Sequence, residues 1–240
     1  MKRSVLSYRQ ESAQAGAAVH FIALHGSDAT CAQLIPLCRS LSASAGISAP
    51  EGPVPAPARF GTLGTERNWY MEHEDGSIEP AGFVDSLHQV EQFVMDTLDE
   101  LDIRGPNRPD IYLVGLGQGG ALALTLSLFW PETFRGVVAV QGYVPEIQGL
   151  ATPRREMNEL PVLLVRDPKE DQQEAAKIEG SASRLRSLGA PVTLQDIAGA
   201  SALPPAVRES ISSWMRAIPA KAQTPIARPP HAHSKGTEET

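Results

Sequence analysis

At 240 residues and 42% hydrophobic content, the chain can bury the core of one large α/β domain. Its formal net charge of −7 is spread along the sequence, which argues against nucleic acid as a partner, because phosphate binding needs clustered lysines and arginines. The longest apolar run, Gly120 to Trp130, is too short to cross a bilayer, and Lys2 and Arg3 have no apolar stretch behind them. The expectation is therefore a cytoplasmic protein with no membrane partner.

Taken in chain order, residues 1–17 are small and polar and read as a loose lead-in. Residues 20–24 read as a buried strand. His25 to Thr30 form a turn, with Asp28 or Thr30 able to cap the helix that follows. Residues 31–44 carry apolar positions at helical spacing, and Ile47 to Pro50 is a short strand. Cys31 and Cys38 stand seven apart on that helix, about 10 Å along its axis, which is too far for a disulfide. Two buried thiols in a reducing compartment are expected.

Residues 51–68 hold three prolines and small residues around Arg59 and Phe60. Such a loop reads as a lid or binding loop. Residues 80–101 place Phe83, Leu87, Val90, Val94, Leu98 and Leu101 on one helical face. A strand at 111–114, a tight glycine turn at 115–120 and an apolar helix ending before Pro131 follow. Strands at 137–140, 162–165 and 192–197 and helices at 172–188 and 205–218 complete the pattern. Strands alternating with helices imply a mostly parallel sheet covered on both faces, in one domain over residues 18–218. Residues 219–240 are rich in Pro, Ala and charge, as in a disordered tail, so His231 and His233 make no metal site. No metal and no cofactor are expected.

The most informative stretch is Val114-Gly115-Leu116-Gly117-Gln118-Gly119-Gly120. A strand entering Gly-x-Ser-x-Gly and then a helix is a nucleophile elbow. Here position 117 is glycine. The same residues fit a bare G-x-G-x-x-G dinucleotide fingerprint, but that motif follows the first strand of its domain and needs an acidic residue at the end of the next. The next strand ends Ala139-Val140-Gln141-Gly142, so nucleotide binding is discounted.

Leu24-His25-Gly26, Ala49-Pro50-Glu51-Gly52-Pro53, Arg67-Asn68-Trp69-Tyr70 and the elbow together resemble the phospholipase/carboxylesterase branch of the α/β-hydrolases, in order and over roughly residues 18–218. The resemblance implies an α/β-hydrolase fold with a Ser, Asp, His triad in that chain order. Gly117 stands at the Ser position. A carboxylate survives as Glu170 or Asp171 at the Asp position, and Ser201 or Ala200 occupies the His position. No histidine lies between His88 and the tail, and His25 has a structural counterpart in the family. A triad needs a nucleophile held by a base within hydrogen-bond reach. What the family's backbone would still provide is an oxyanion hole, from the N–H groups of Gln118 and Ser27.

On these grounds the expected protein is not a serine hydrolase. The sequence also resembles the atypical α/β-hydrolase-fold peptide epimerases of bottromycin-type biosynthesis. That resemblance implies an isomerase acting on an aspartate beside a thiazoline or thiazole in a modified peptide, with the substrate's own carboxylate carrying the proton. The alternative is a small-molecule or peptide binding protein or receptor; a degenerate esterase relying on Ser201 is a third reading. In each case the pocket is expected at the C-terminal edge of the sheet, lined by Ser27, Asp28, Gly117, Gln118, Tyr143, Val144 and Ser201, with Phe60 and Trp69 from the long loop.

Overall fold

The structure is a computed structural model that describes residues 6–57, 64–73, 75–101, 108–151, 156–157, 159–169 and 172–219. Seven strands form one sheet in the order β1(Tyr8–Glu11), β3(Gly46–Pro50), β2(Val19–Leu24), β6(Asp110–Leu116), β7(Gly136–Val140), β8(Val162–Arg166) and β9(Val192–Asp196). All neighbours are parallel except β1 against β3. The helices are α1(Ile35–Leu41), α2(Pro80–Glu100), α3(Gln118–Phe129), α4(Gln172–Ser187) and α5(Pro205–Ala217).

Strand residues alternate between two cores. Ile22, Leu24, Leu113, Val137 and Leu164 pack with α2, α3 and α4. Phe21, Ala23, Val114, Val138 and Leu163 pack with α1 and α5. A sheet buried on both faces requires apolar residues at successive positions, which is why these strands read as continuous apolar runs.

Two elements depart from the sequence expectation. The lead-in is not loose throughout, because Tyr8–Glu11 form the edge strand β1, in register Tyr8 with Pro50 through Glu11 with Ile47. These residues are polar and mostly exposed, so no apolar alternation announces them. The ladder bonds to β3 supply the order. The helix expected over residues 31–44 is the shorter α1, with Leu34 at its N-cap and Pro36 in its first turn. Proline suits that turn, where its missing N–H has no helical partner to lose. Leu34, and not Asp28 or Thr30, therefore stands at the N-cap of α1.

Within the long loop, two short strands, β4(Val54–Pro55) and β5(Arg67–Asn68), pair antiparallel. Arg59, Phe60, Glu170, Asp171 and residues 220–240 lie outside the described residues, and with them the expected aromatic of the loop, the expected triad carboxylate and the expected tail. Among the described residues, no helix is long and apolar enough to cross a membrane.

Candidate functional site

The elbow forms at the C-terminal end of β6. Gly117 adopts φ 51° and ψ −115°, a region that a side chain would strain. Its N–H donates to Val140 O at 2.9 Å, and its carbonyl accepts from Ala121 N–H at 2.9 Å. A Cβ on Gly117 would meet nothing within 4 Å, so the position above it is open space. Gln118 opens α3, and a helix's first N–H groups have no partner inside it. They also sit at the positive end of the helix dipole.

α3 begins against the turn after β2. A Cβ on Gly119 would lie 2.2 Å from Leu24 O and 2.4 Å from His25 O. Only glycine permits this approach, which sets the exposed Ser27 turn beside the elbow. Gly26 N–H donates to Gln33 Oε1 at 2.8 Å and fixes the turn.

His25 is fully buried and both ring nitrogens are engaged. Gly52 N–H donates to Nε2 at 2.9 Å, so Nδ1 carries the proton and donates to Gly26 O at 2.7 Å. Burial lowers the pKa of the ring, against the opposing pulls of the Gly26 carbonyl and the Glu51 charge. A neutral ring with both nitrogens occupied holds the turn together.

Trp69 is also fully buried. It stacks on His25 with centroids 4.9 Å apart and planes at 29°, and its Nε1–H donates to His25 O at 2.9 Å. Its backbone N–H donates to Gln118 Oε1 at 2.9 Å, while Gln118 Nε2 donates to Tyr70 O at 3.1 Å. The Gln118 side chain therefore clamps the Trp69–Tyr70 segment. Trp69 supports the site from behind. Asp28 adopts φ 49°. Its N–H donates to Asn68 Oδ1 at 2.8 Å, and Asn68 Nδ2 donates back to Asp28 Oδ1 at 3.1 Å. This pairing ties the turn after β2 to β5.

Tyr143 and Val144 follow β7. They are held near the elbow because Gly142 packs on α3; a Cβ there would lie 2.8 Å from the Gly120 backbone. Val144 N–H donates to Ser181 Oγ at 2.8 Å. Lys177 Nζ lies 3.5 Å from Tyr143 Oη and 4.8 Å from the ring centroid. Burial raises the Tyr143 pKa and Lys177 opposes it.

Ser201 is exposed in a 3-10 turn, Ala200–Ala202, with Ala200 fully buried beneath it. Among the described residues, Asp167, directly after β8, places a carboxylate on this loop. Its Oδ2 accepts from Gly199 N–H at 2.7 Å and its Oδ1 from Lys169 N–H at 2.9 Å, while its own N–H donates to Gln141 Oε1 at 2.7 Å. The carboxylates expected from the sequence, Glu170 and Asp171, lie outside the described residues. The available signal for Asp167 was its place as the first residue after the strand. Among the described residues, no group of three or more His, Cys, Asp and Glu side chains is placed to hold a metal ion.

The arrangement thus offers backbone donors beside open space, and a carboxylate bonded into the loop before α5. Residues 49–202 match the family model described as phospholipase/carboxylesterase. No curated protein matches the chain. A carboxylesterase from Mesorhizobium loti is 17% identical, with 90% of this chain and 97% of that one covered at a TM-score of 0.73. The Bacillus cereus carboxylesterase is 16% identical, with 89% and 94% covered at 0.73. SOBER1 of Arabidopsis thaliana is 19% identical, with 82% and 97% covered at 0.64. At these identities the solved structures establish the α/β-hydrolase-like fold.

The family match overturns the expectation of an isomerase that is not a serine hydrolase: the matched family is one of phospholipases and carboxylesterases, which points to hydrolysis. That expectation rested on two absent side chains and on the resemblance to peptide epimerases. The match over residues 49–202 covers β6, the elbow and the segments after β7 and β8, and those backbone elements persist when the side chains on them change.

Proposed function

The chain belongs to the phospholipase/carboxylesterase family, and from that premise we propose that it binds a carboxylic ester by its carbonyl at the elbow and hydrolyses it with water as the nucleophile. The observation that carries this reading is Gly117, which keeps the elbow's strained dihedrals while leaving open space where a side chain would stand. In this reading the N–H groups of Gln118 and Ser27 receive the developing oxyanion. Water adds to the carbonyl carbon from the space above Gly117, and the bond to the alcohol oxygen breaks. Asp167 takes the water's proton through an intervening water and returns it to the departing alcohol oxygen, which regenerates the carboxylate.

The expected rate is modest. In a serine protease stripped of triad members, the oxyanion hole and binding alone retain about 10³–10⁴-fold over water. Hydrolysis of p-nitrophenyl butyrate should show enhancement of that order, with no burst phase. Water labelled with ¹⁸O should put its label in the acid in a single turnover. Release of p-nitrophenol no faster than the buffer blank would overturn the proposal.

A second reading, capture of a small-molecule or peptide carbonyl ligand without turnover, is favoured by one observation. The loop Ala198 to Pro205 carries Ser201 and no imidazole. A trifluoromethyl ketone that stabilises the protein by about 2.7 kcal/mol at 100 times its Kd, in a protein with no esterase turnover, would select this reading.

A further inference from the structure

A cavity of about 670 Å³ opens between the segment after β7 and α4; its Tyr143 directly follows Gly142, which packs on the first turn of α3. Its volume falls in the range of small-molecule sites. One wall is apolar, built from Ile78, Pro80, Tyr143, Val144 and Pro145. The facing wall is a single stripe of α4 made by Lys177, Gly180, Ser181 and Arg184. Their spacing of i, i+3, i+4 and i+7 puts them on one helical face.

Gly180 on that stripe has no packing reason to be glycine. A Cβ there would meet nothing within 4 Å, and glycine inside a helix is a poor helix former. The missing side chain leaves a notch between two cations, and the polar group next to it is already satisfied. Ser181 Oγ accepts from Val144 N–H at 2.8 Å and donates to Lys177 O at 2.8 Å. Lys177 donates to Glu174 at 2.8 Å, with the two side chains 35% and 37% exposed. Exposed i, i+3 pairs of this kind are weak and readily exchanged. Among the described residues, the carboxylate in the lining itself is the exposed Glu146, while Glu174 and Glu72 lie near enough to act on Lys177 and Tyr143.

We infer that this cavity is a specificity pocket for an ester whose far end carries a carboxylate. The apolar wall receives the methylene chain, and the carboxylate lodges over Gly180, where Lys177 and Arg184 are both long enough to reach it. The inference rests on the elbow reading for the position of the ester, but it is tested by binding alone.

The probes are monoethyl adipate, anionic at neutral pH, and diethyl adipate, its neutral counterpart, titrated calorimetrically into the full chain. The wild type should bind the monoester about tenfold more tightly. Lys177→Gln and Arg184→Gln should each erode that preference without changing diethyl adipate binding. Gly180→Ala separates structure from function: it should raise the melting temperature by about 2–4 °C while weakening the monoester, because the new methyl fills the notch. Equal affinity for the two esters, or a preference that survives both charge removals, overturns the inference. If the monoester binds preferentially but is not hydrolysed, the elbow proposal fails and the pocket stands. If both esters are hydrolysed and bind equally, the pocket fails and the elbow proposal stands.

Discussion

Replacing Gly119 with alanine tests the contact that builds the site. The added Cβ would sit 2.2 Å from Leu24 O and 2.4 Å from His25 O, whereas carbon–oxygen contacts settle near 3.3 Å or beyond. Both oxygens belong to backbone that the sheet and the Trp69 indole hold in place. The first turn of α3 must therefore retreat from β2 by about 1 Å. Overpacking costs about 1–3 kcal/mol, and a clash with backbone on two sides belongs at the upper end. For a domain of this size, 3 kcal/mol corresponds to a melting-temperature drop of roughly 6–12 °C, measurable by calorimetry. The same retreat would separate the N–H of Gln118 from that of Ser27, so affinity for a trifluoromethyl ketone should fall as well. Gly117→Ala is the control. Its Cβ meets nothing, so its cost is backbone strain alone, about 1–3 kcal/mol. A Gly119→Ala protein melting within about 2 °C of the wild type would refute the close approach of α3 to β2.

His20 and the cysteines give two further tests. His20 is buried, with Nε2 on Ser48 Oγ at 2.9 Å and Nδ1 unpartnered among the described residues, and burial lowers its pKa from 6.5 to about 4. The unfolded chain binds the proton near pH 6.5 and the native one does not, so this contribution is complete above pH 6.5 and is lost as pH falls toward 4. The loss reaches roughly 3 kcal/mol, and His20→Gln should remove that slope from urea unfolding measured between pH 7 and 4.5; an unchanged slope would assign the acid sensitivity elsewhere. Cys38 is fully buried with its thiol pushed up to about 12, and burial also raises Cys31. Ellman's reagent at pH 7 should therefore titrate both thiols only in denaturant, and rapid native labelling of Cys38 would contradict its burial.

The sequence by itself determined the alternation of strands and helices, the elbow and the glycine at its apex, and the lack of histidine between His88 and the C-terminal residues. Those features are local or compositional: a strand's apolar run, a helix's periodicity and a turn's glycines are set by neighbours a few residues away. Tertiary structure decided the edge strand β1, whose polar residues are ordered only by pairing with β3. It also decided the burial of Trp69, whose bonds to His25 and Gln118 span 44 and 49 positions. The same holds for the bond of Asp167 to Gly199, 32 positions on, and for the place of Gly180 in the lining of a cavity. On the sequence that glycine is only a weak point in a helix; in the fold it faces a cavity, because contacts between distant segments have no period that a chain read in order can display.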